Sequence, residues 1–200
     1  MWQDRSSTIR TRNLNAMLSM NFLITCLIVV LIPGTGVIFT VSTGLTAGKR
    51  ASLFAALGCT LGILPHLLAS VLGLSALLHT SALAFEALKY AGVAYLLYLA
   101  YATWRDRSAF AVNDAPTRAT AHGLMIRGFL LNILNPKLTI FFLAFLPQFV
   151  TPDSTAPALQ MLVLSGVFMA MTLAVFVIYG LLANGFRRAV IESPRVQNWL

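Results

Sequence analysis

The chain has 200 residues, of which 58% are hydrophobic and only 10% charged, with a formal net charge of +8 and a mean hydropathy of +0.81. A soluble globular domain carries about 25% charged residues, so this composition excludes one and points to an integral membrane protein. The cations sit in short clusters between apolar runs, the pattern of loops facing anionic lipid, and no nucleic-acid partner is expected.

Residues 1–19 form an N-terminal tail carrying Arg5, Arg10 and Arg12. Met17 and Met20 stand just before the first apolar run, so the tail also reads as a mis-assigned start. From there, residues 20–200 are expected to form a single transmembrane domain. A bilayer core of about 30 Å needs around 20 apolar helical residues per crossing. Five runs qualify, at about 20–42, 53–78, 83–104, 126–148 and 158–183. All are expected to be helices, because backbone facing lipid must satisfy its own hydrogen bonds. Lys49 and Arg50 follow the first run, Arg105, Arg107 and Arg118 the third, and Arg187, Arg188 and Arg195 the fifth. The positive-inside rule makes those regions cytoplasmic.

The first and fourth runs share a pattern. With Pro33 set on Pro136, an offset of about 103 residues, "VVLIPGTGVIFTVSTG" lies over "LNILNPKLTIFFLAFLP", and the second run lies over the fifth. A three-helix unit used twice must be inverted the second time, and paired broken helices in inverted repeats point to a secondary transporter. The expected fold is therefore all-α, a bundle of two inverted three-helix repeats. Five transmembrane helices are expected in this sequence, with the sixth that the repeat calls for expected to be missing.

Two breaks carry the chemistry. Pro33-Gly34, with Thr35 and Gly36 behind them, interrupts the first run; Asn132, Asn135, Pro136 and Lys137 interrupt the fourth. Proline removes a backbone donor and clashes with the preceding turn. Polar backbone freed at mid-membrane depth is tolerated where it lines a cavity or finds protein partners, and half-helix ends suit the charged groups of a substrate. Lys137 lies roughly ten residues from either end of its run, about 15 Å at ~1.5 Å per residue, where a lysine costs about 2.5–3.5 kcal/mol. It either holds a substrate carboxylate, exchanges a proton, or bonds structurally to carbonyls freed by Pro136. These eight residues are the candidate substrate site. His66, after Pro65 in the second run, is the candidate for proton coupling, since histidine is the side chain suited to proton exchange at physiological pH; the alternative is a helix–helix hydrogen bond. Gly58 and Gly62 in "GCTLG" read as close helix packing. Cys26 and Cys59 lie inside apolar runs and indicate neither a metal site nor a disulfide framework.

"PGTGVIFTVSTGLTAGKRASLFAALGCTLG", "LKYAGVAYLLYLAY" and "LLNILNPKLTIFFLAFLPQFV" together resemble the LysE/RhtB amino-acid exporter family, from about Phe22 to Leu200. The family's first motif usually reads Pro-Gly-Pro followed by Asp or Asn; here it is Pro33-Gly34-Thr35-Gly36. The resemblance implies a multi-pass carrier of the bacterial inner membrane, not an enzyme, that exports amino acids or related metabolites by proton coupling and needs no cofactor. Its partners would be the small-molecule substrate, the lipid bilayer and, for so small a bundle, a second copy in a homodimer. Two other readings stay open: a membrane thiol–disulfide electron carrier, and an inactive truncated transporter. The thiol carrier needs cysteines at matched repeat positions, whereas Cys26 maps onto Phe129 and Cys59 onto Leu162.

Overall fold

The computed structural model describes residues 19–78, 120–151, 156–187 and 189, together with Glu86, Ala87, Tyr90, Ala91, Val93, Ala94, Leu97, Tyr98, Tyr101 and Arg105. Among these residues there are helices and no strands. The N-terminal tail, most of the third predicted run and the segment after Ala189 lie outside them.

The first run folds as two helices, α1 (Met20–Leu31) and α2 (Thr35–Ala47), bent by 55° at the break. Ser19 caps α1 by accepting from the Phe22 amide at 3.2 Å. Pro33 ends the helix because its ring nitrogen has no hydrogen to offer the Val29 carbonyl one turn back. The connection between the first and second runs is shorter than their expected bounds of about 42 and 53 suggest: α2 runs to Ala47 and α3 (Lys49–Leu61) begins two residues later. Gly48 alone makes the turn at φ 84°, a conformation that costs glycine little.

A turn at Gly62 and Ile63 separates α3 from α4 (Leu64–Leu78), and Pro65 falls in the first turn of α4, where its missing hydrogen is tolerated. The fourth run repeats the design of the first. Helix α5 (Ala121–Ile133) stops before Asn135, and α6 (Pro136–Ile140) restarts with proline at its first position. From there the chain continues as a π-helical stretch, Phe141–Phe145, and a 3-10 turn, Leu146–Phe149. The two halves are bent by 53°. Helix α7 (Pro157–Phe186) is unbroken over 30 residues.

By length and hydropathy, Lys49–Gly73 and Pro157–Phe186 each suit a membrane crossing, and each bent pair suits one more if it forms a single span. The described residues thus hold up to four of the five predicted spans.

Glycine sets the closest approaches. A Cβ on Gly58 would overlap the backbone of Met125, and one on Gly128 would sit 2.9 Å from the Ala55 carbonyl and the Cys59 amide nitrogen. Helices α3 and α5 therefore touch backbone to backbone, as the small-residue spacing of "GCTLG" leads one to expect. On the other side, a Cβ on Gly44 would lie 2.8 Å from the Gly180 carbonyl, which draws α2 against α7. Toward the opposite end the core is aromatic. Phe141 stacks on Phe168 with ring centroids 4.4 Å apart, and Phe142 meets Phe168 edge-on at 5.6 Å.

Candidate functional site

The two helix breaks face each other. Without a hydrogen on Pro33, the Val29 carbonyl has no donor within its own helix. It accepts instead from Lys137 Nζ at 2.9 Å, and the same ammonium donates to the Ile32 carbonyl at 2.9 Å. The Leu31 carbonyl takes the Tyr179 hydroxyl of α7 at 3.2 Å. Thus the broken end of α1, the negative pole of its dipole, is closed by a cation from α6. Two charge-assisted bonds of about 1.5–3 kcal/mol each are enough to offset the roughly 2.5–3.5 kcal/mol of placing a lysine in the membrane. The carbonyls involved belong to the first break, not to the break at Pro136 as the local sequence suggests.

The second break is closed in a parallel way. Pro136 leaves the Asn132 carbonyl without its ordinary donor, and this oxygen lies 3.0 Å from both His66 Nε2 and the Asn135 amide nitrogen. Because a carbonyl only accepts, Nε2 carries the hydrogen. Nδ1 is left facing the Thr139 hydroxyl at 3.4 Å, which also lies 3.4 Å from the Asn135 carbonyl. His66 is buried. Asn135 caps α6, its side-chain oxygen accepting from the Lys137 amide at 3.0 Å. The Leu138 and Thr139 amides both turn to the Asn135 carbonyl, so the start of α6 keeps its amides to itself.

The start of α2 does not. Gly34 offers no side-chain cap, and the amides of Thr35, Gly36 and Val37 find no acceptor among the described residues. Close by, Asn132 is 2% exposed and its Nδ2 donates to the Cys59 carbonyl at 2.7 Å, whereas its Oδ1 has no partner. A Cβ on Gly36 would come within 2.7 Å of that oxygen and 2.9 Å of the Phe176 ring.

One small cavity of about 20 Å³ collects these groups, room for about one water. Of the eight substrate-site candidates, Gly34, Gly36, Asn132, Asn135 and Lys137 line it. Pro33, Thr35 and Pro136 do not; the prolines shape the breaks, and Thr35 is exposed with its hydroxyl 3.5 Å from the Leu131 carbonyl. Sequence reasoning missed the α7 wall of Phe168, Thr172 and Phe176. Helix α7 is apolar all round, so its inward face carries little hydrophobic contrast. The available signal was the small and hydroxyl residues Ser165, Thr172 and Gly180, which mark the buried side. Among the described residues no group of three or more His, Cys, Asp or Glu could hold a metal ion. Cys26 and Cys59 are free and buried, Cys59 with its thiol 3.8 Å from the Gly36 carbonyl.

Known proteins agree with this reading of a membrane carrier. The sequence profile of the LysE type translocators matches residues 27–200. A homoserine/homoserine lactone efflux protein of Salmonella typhimurium is 33% identical over 174 residues, 87% of this chain and 84% of that protein. A Vibrio cholerae membrane protein is 36% identical over 131 residues, 66% of this chain; the match spans 64% of that relative, just under two thirds of its length. A Pseudomonas aeruginosa membrane protein is 35% identical over 169 residues, 80% of this chain and 78% of the relative. No solved structure gives a significant match. Two broken helices meeting inside an apolar bundle, and a family match over most of the sequence, lead to one assignment: the chain belongs to the LysE type translocator family, whose members move small molecules across membranes and are not enzymes.

Proposed function

We propose that this protein is a secondary carrier of the bacterial inner membrane that exports small amino acids of the homoserine class, by alternating access and with proton entry as the driving force. The observation that carries this is the joining of the two broken helices at Lys137, whose ammonium bridges from α6 to the Val29 and Ile32 carbonyls of α1. Breaks at matched positions are how inverted-repeat carriers place polar backbone at mid-depth; here the bends are 55° and 53°, at residues separated by the repeat offset. The efflux proteins among the relatives support the cargo class.

In this reading Pro33, Gly34, Thr35 and Gly36 build one half of the substrate site and Asn132, Asn135, Pro136 and Lys137 the other. The cavity of about 20 Å³ is several times too small for an amino acid, so the present arrangement is a closed one, and the bent halves separate to admit cargo. His66 couples the cycle to protons through Nδ1, which faces the Thr139 hydroxyl, while Nε2 stays on the carbonyl freed by Pro136. The carrier works as a homodimer.

The test is efflux from proteoliposomes loaded with radiolabelled L-homoserine under an inward proton gradient. Gradient-driven efflux is expected from the intact chain and its loss from Lys137→Ala. An intact chain that releases no amino acid from a full panel overturns the proposal.

A further inference from the structure

Two sources of positive potential converge on the cavity without an acid to meet them. Lys137 has three N–H donors, of which two are taken by the Val29 and Ile32 carbonyls. Gly34 stands beside the ammonium, with a Cβ position only 3.5 Å from Nζ. Just behind Gly34, at the positive end of α2, lie the amides of Thr35, Gly36 and Val37, which have no acceptor among the described residues. Glu86 is the only acid among the described residues, and it does not line the cavity. An anionic group is what these donors lack.

Asn132 Oδ1 presents the opposite demand. The bond from Nδ2 to the Cys59 carbonyl pins the amide so that its oxygen is turned toward Gly36. That oxygen is a buried acceptor with no donor, a situation that costs about 1–3 kcal/mol. No hydroxyl of the cavity relieves it, because Thr172 donates back to the Phe168 carbonyl of its own helix at 2.8 Å. Without a side chain at position 36, Asn132 Oδ1 and the Phe176 ring pack directly against the backbone that carries the orphan amides.

We propose that the site is a two-ended cradle for a small zwitterion. Its carboxylate lies on the α2 amides and the third N–H of Lys137, and its ammonium donates to Asn132 Oδ1. Asn132 is thereby the residue that demands an amine. This rests on the carrier reading above and adds to it a binding polarity and a specificity residue. The walls formed by Val29, Val30, Phe168 and Phe176 would take an uncharged side chain.

The experiment separates binding from transport. The full chain is reconstituted in phosphatidylcholine and phosphatidylglycerol, so that no lipid supplies a primary ammonium headgroup. Equilibrium binding of radiolabelled L-homoserine is competed with 4-hydroxybutyrate, which lacks the amine, and with 3-aminopropan-1-ol, which lacks the carboxylate. Each is expected to compete at least tenfold more weakly than unlabelled L-homoserine. In Asn132→Leu the amine preference should collapse toward unity while the penalty for losing the carboxylate remains. Because these are ratios within one protein, partial misfolding does not shift them, and the intact chain alone decides the question if the variant cannot be made. No saturable binding, or equal competition by 4-hydroxybutyrate in the intact chain, overturns the cradle. An undiminished amine preference in Asn132→Leu overturns the role of Asn132. Binding with both preferences but no efflux upholds the cradle and refutes the carrier.

Discussion

Lys137 Nζ lies 2.9 Å from the Val29 carbonyl oxygen, the one acceptor in α1 that Pro33 has deprived of its helical donor. A helix break 104 residues earlier in the chain is thus closed by the residue that follows the other break. The relation explains how a proline and a lysine, each costly alone in a membrane helix, come to be compatible: each supplies what the other lacks. The contact also ties the two bent spans together at their weakest points, so a change in either bend is felt by the other.

Coupling between these two residues is measurable. Lys137→Met should lower stability by about 1–3 kcal/mol by leaving the Val29 and Ile32 carbonyls unpartnered. In the Pro33→Ala background, the restored amide can bond Val29 within the helix, and the same lysine substitution should cost less. A double-mutant cycle on thermal denaturation in detergent should return an interaction energy of about 0.5–3 kcal/mol. Strict additivity would show that the bond contributes nothing to holding the break.

The contact between α3 and α5 should be intolerant of any side chain. A Cβ on Gly58 meets the backbone of Met125, not the movable end of a side chain, so the helices must separate to admit it. Gly58→Ala should cost at least about 1–3 kcal/mol and reduce the yield of folded protein in size-exclusion chromatography. Gly166→Ala is the control, because nothing lies within 4 Å of its Cβ position; it should be neutral. Equal yields from both variants would contradict the close approach.

His66 has a structural bond and a proposed role in coupling, and two substitutions separate them. Gln can still donate to the Asn132 carbonyl but exchanges no proton; Ala does neither. His66→Gln should keep homoserine counterflow near that of the intact protein while losing acceleration by a proton gradient. His66→Ala should impair both. Gradient-driven efflux that persists undiminished in His66→Gln would remove His66 from the coupling mechanism and leave it as a prop for the second break.

Thr35→Pro should be accepted by the fold. Thr35 opens α2, its amide has no acceptor among the described residues, and Gly34 before it is extended at φ −131°, ψ −174°, a conformation that suits a residue preceding proline. Proline at a compatible position stabilises by about 0.4–1 kcal/mol through the unfolded state. A rise or no change in melting temperature is expected; a fall of several degrees would show that the Thr35 amide or hydroxyl has an essential partner.

The membrane class, the helical structure and the positions of both breaks were legible in the sequence, because each rests on local properties. Apolar length specifies a span, and proline interrupts a helix wherever it stands. The small-residue contact at Gly58 and Gly62 was legible for a similar reason, since spacing along one helix defines one face. Even so, the helix of the first run continues past the apolar stretch expected at about 20–42, to Ala47, because Gly48 alone makes the turn into α3.

Which break Lys137 serves, what Asn132 faces, and which side of α7 walls the cavity were decided only by the tertiary structure. A freed carbonyl takes whichever donor the packing brings to it, and for Val29 that donor is 108 residues away in the chain. The inward face of α7 is likewise hidden in a helix that is apolar on every side, where lipid and protein neighbours demand nearly the same residues. Local chemistry says where polar groups are set free; only packing says which of them are paired with one another and which, like Asn132 Oδ1 and the amides of α2, are left open.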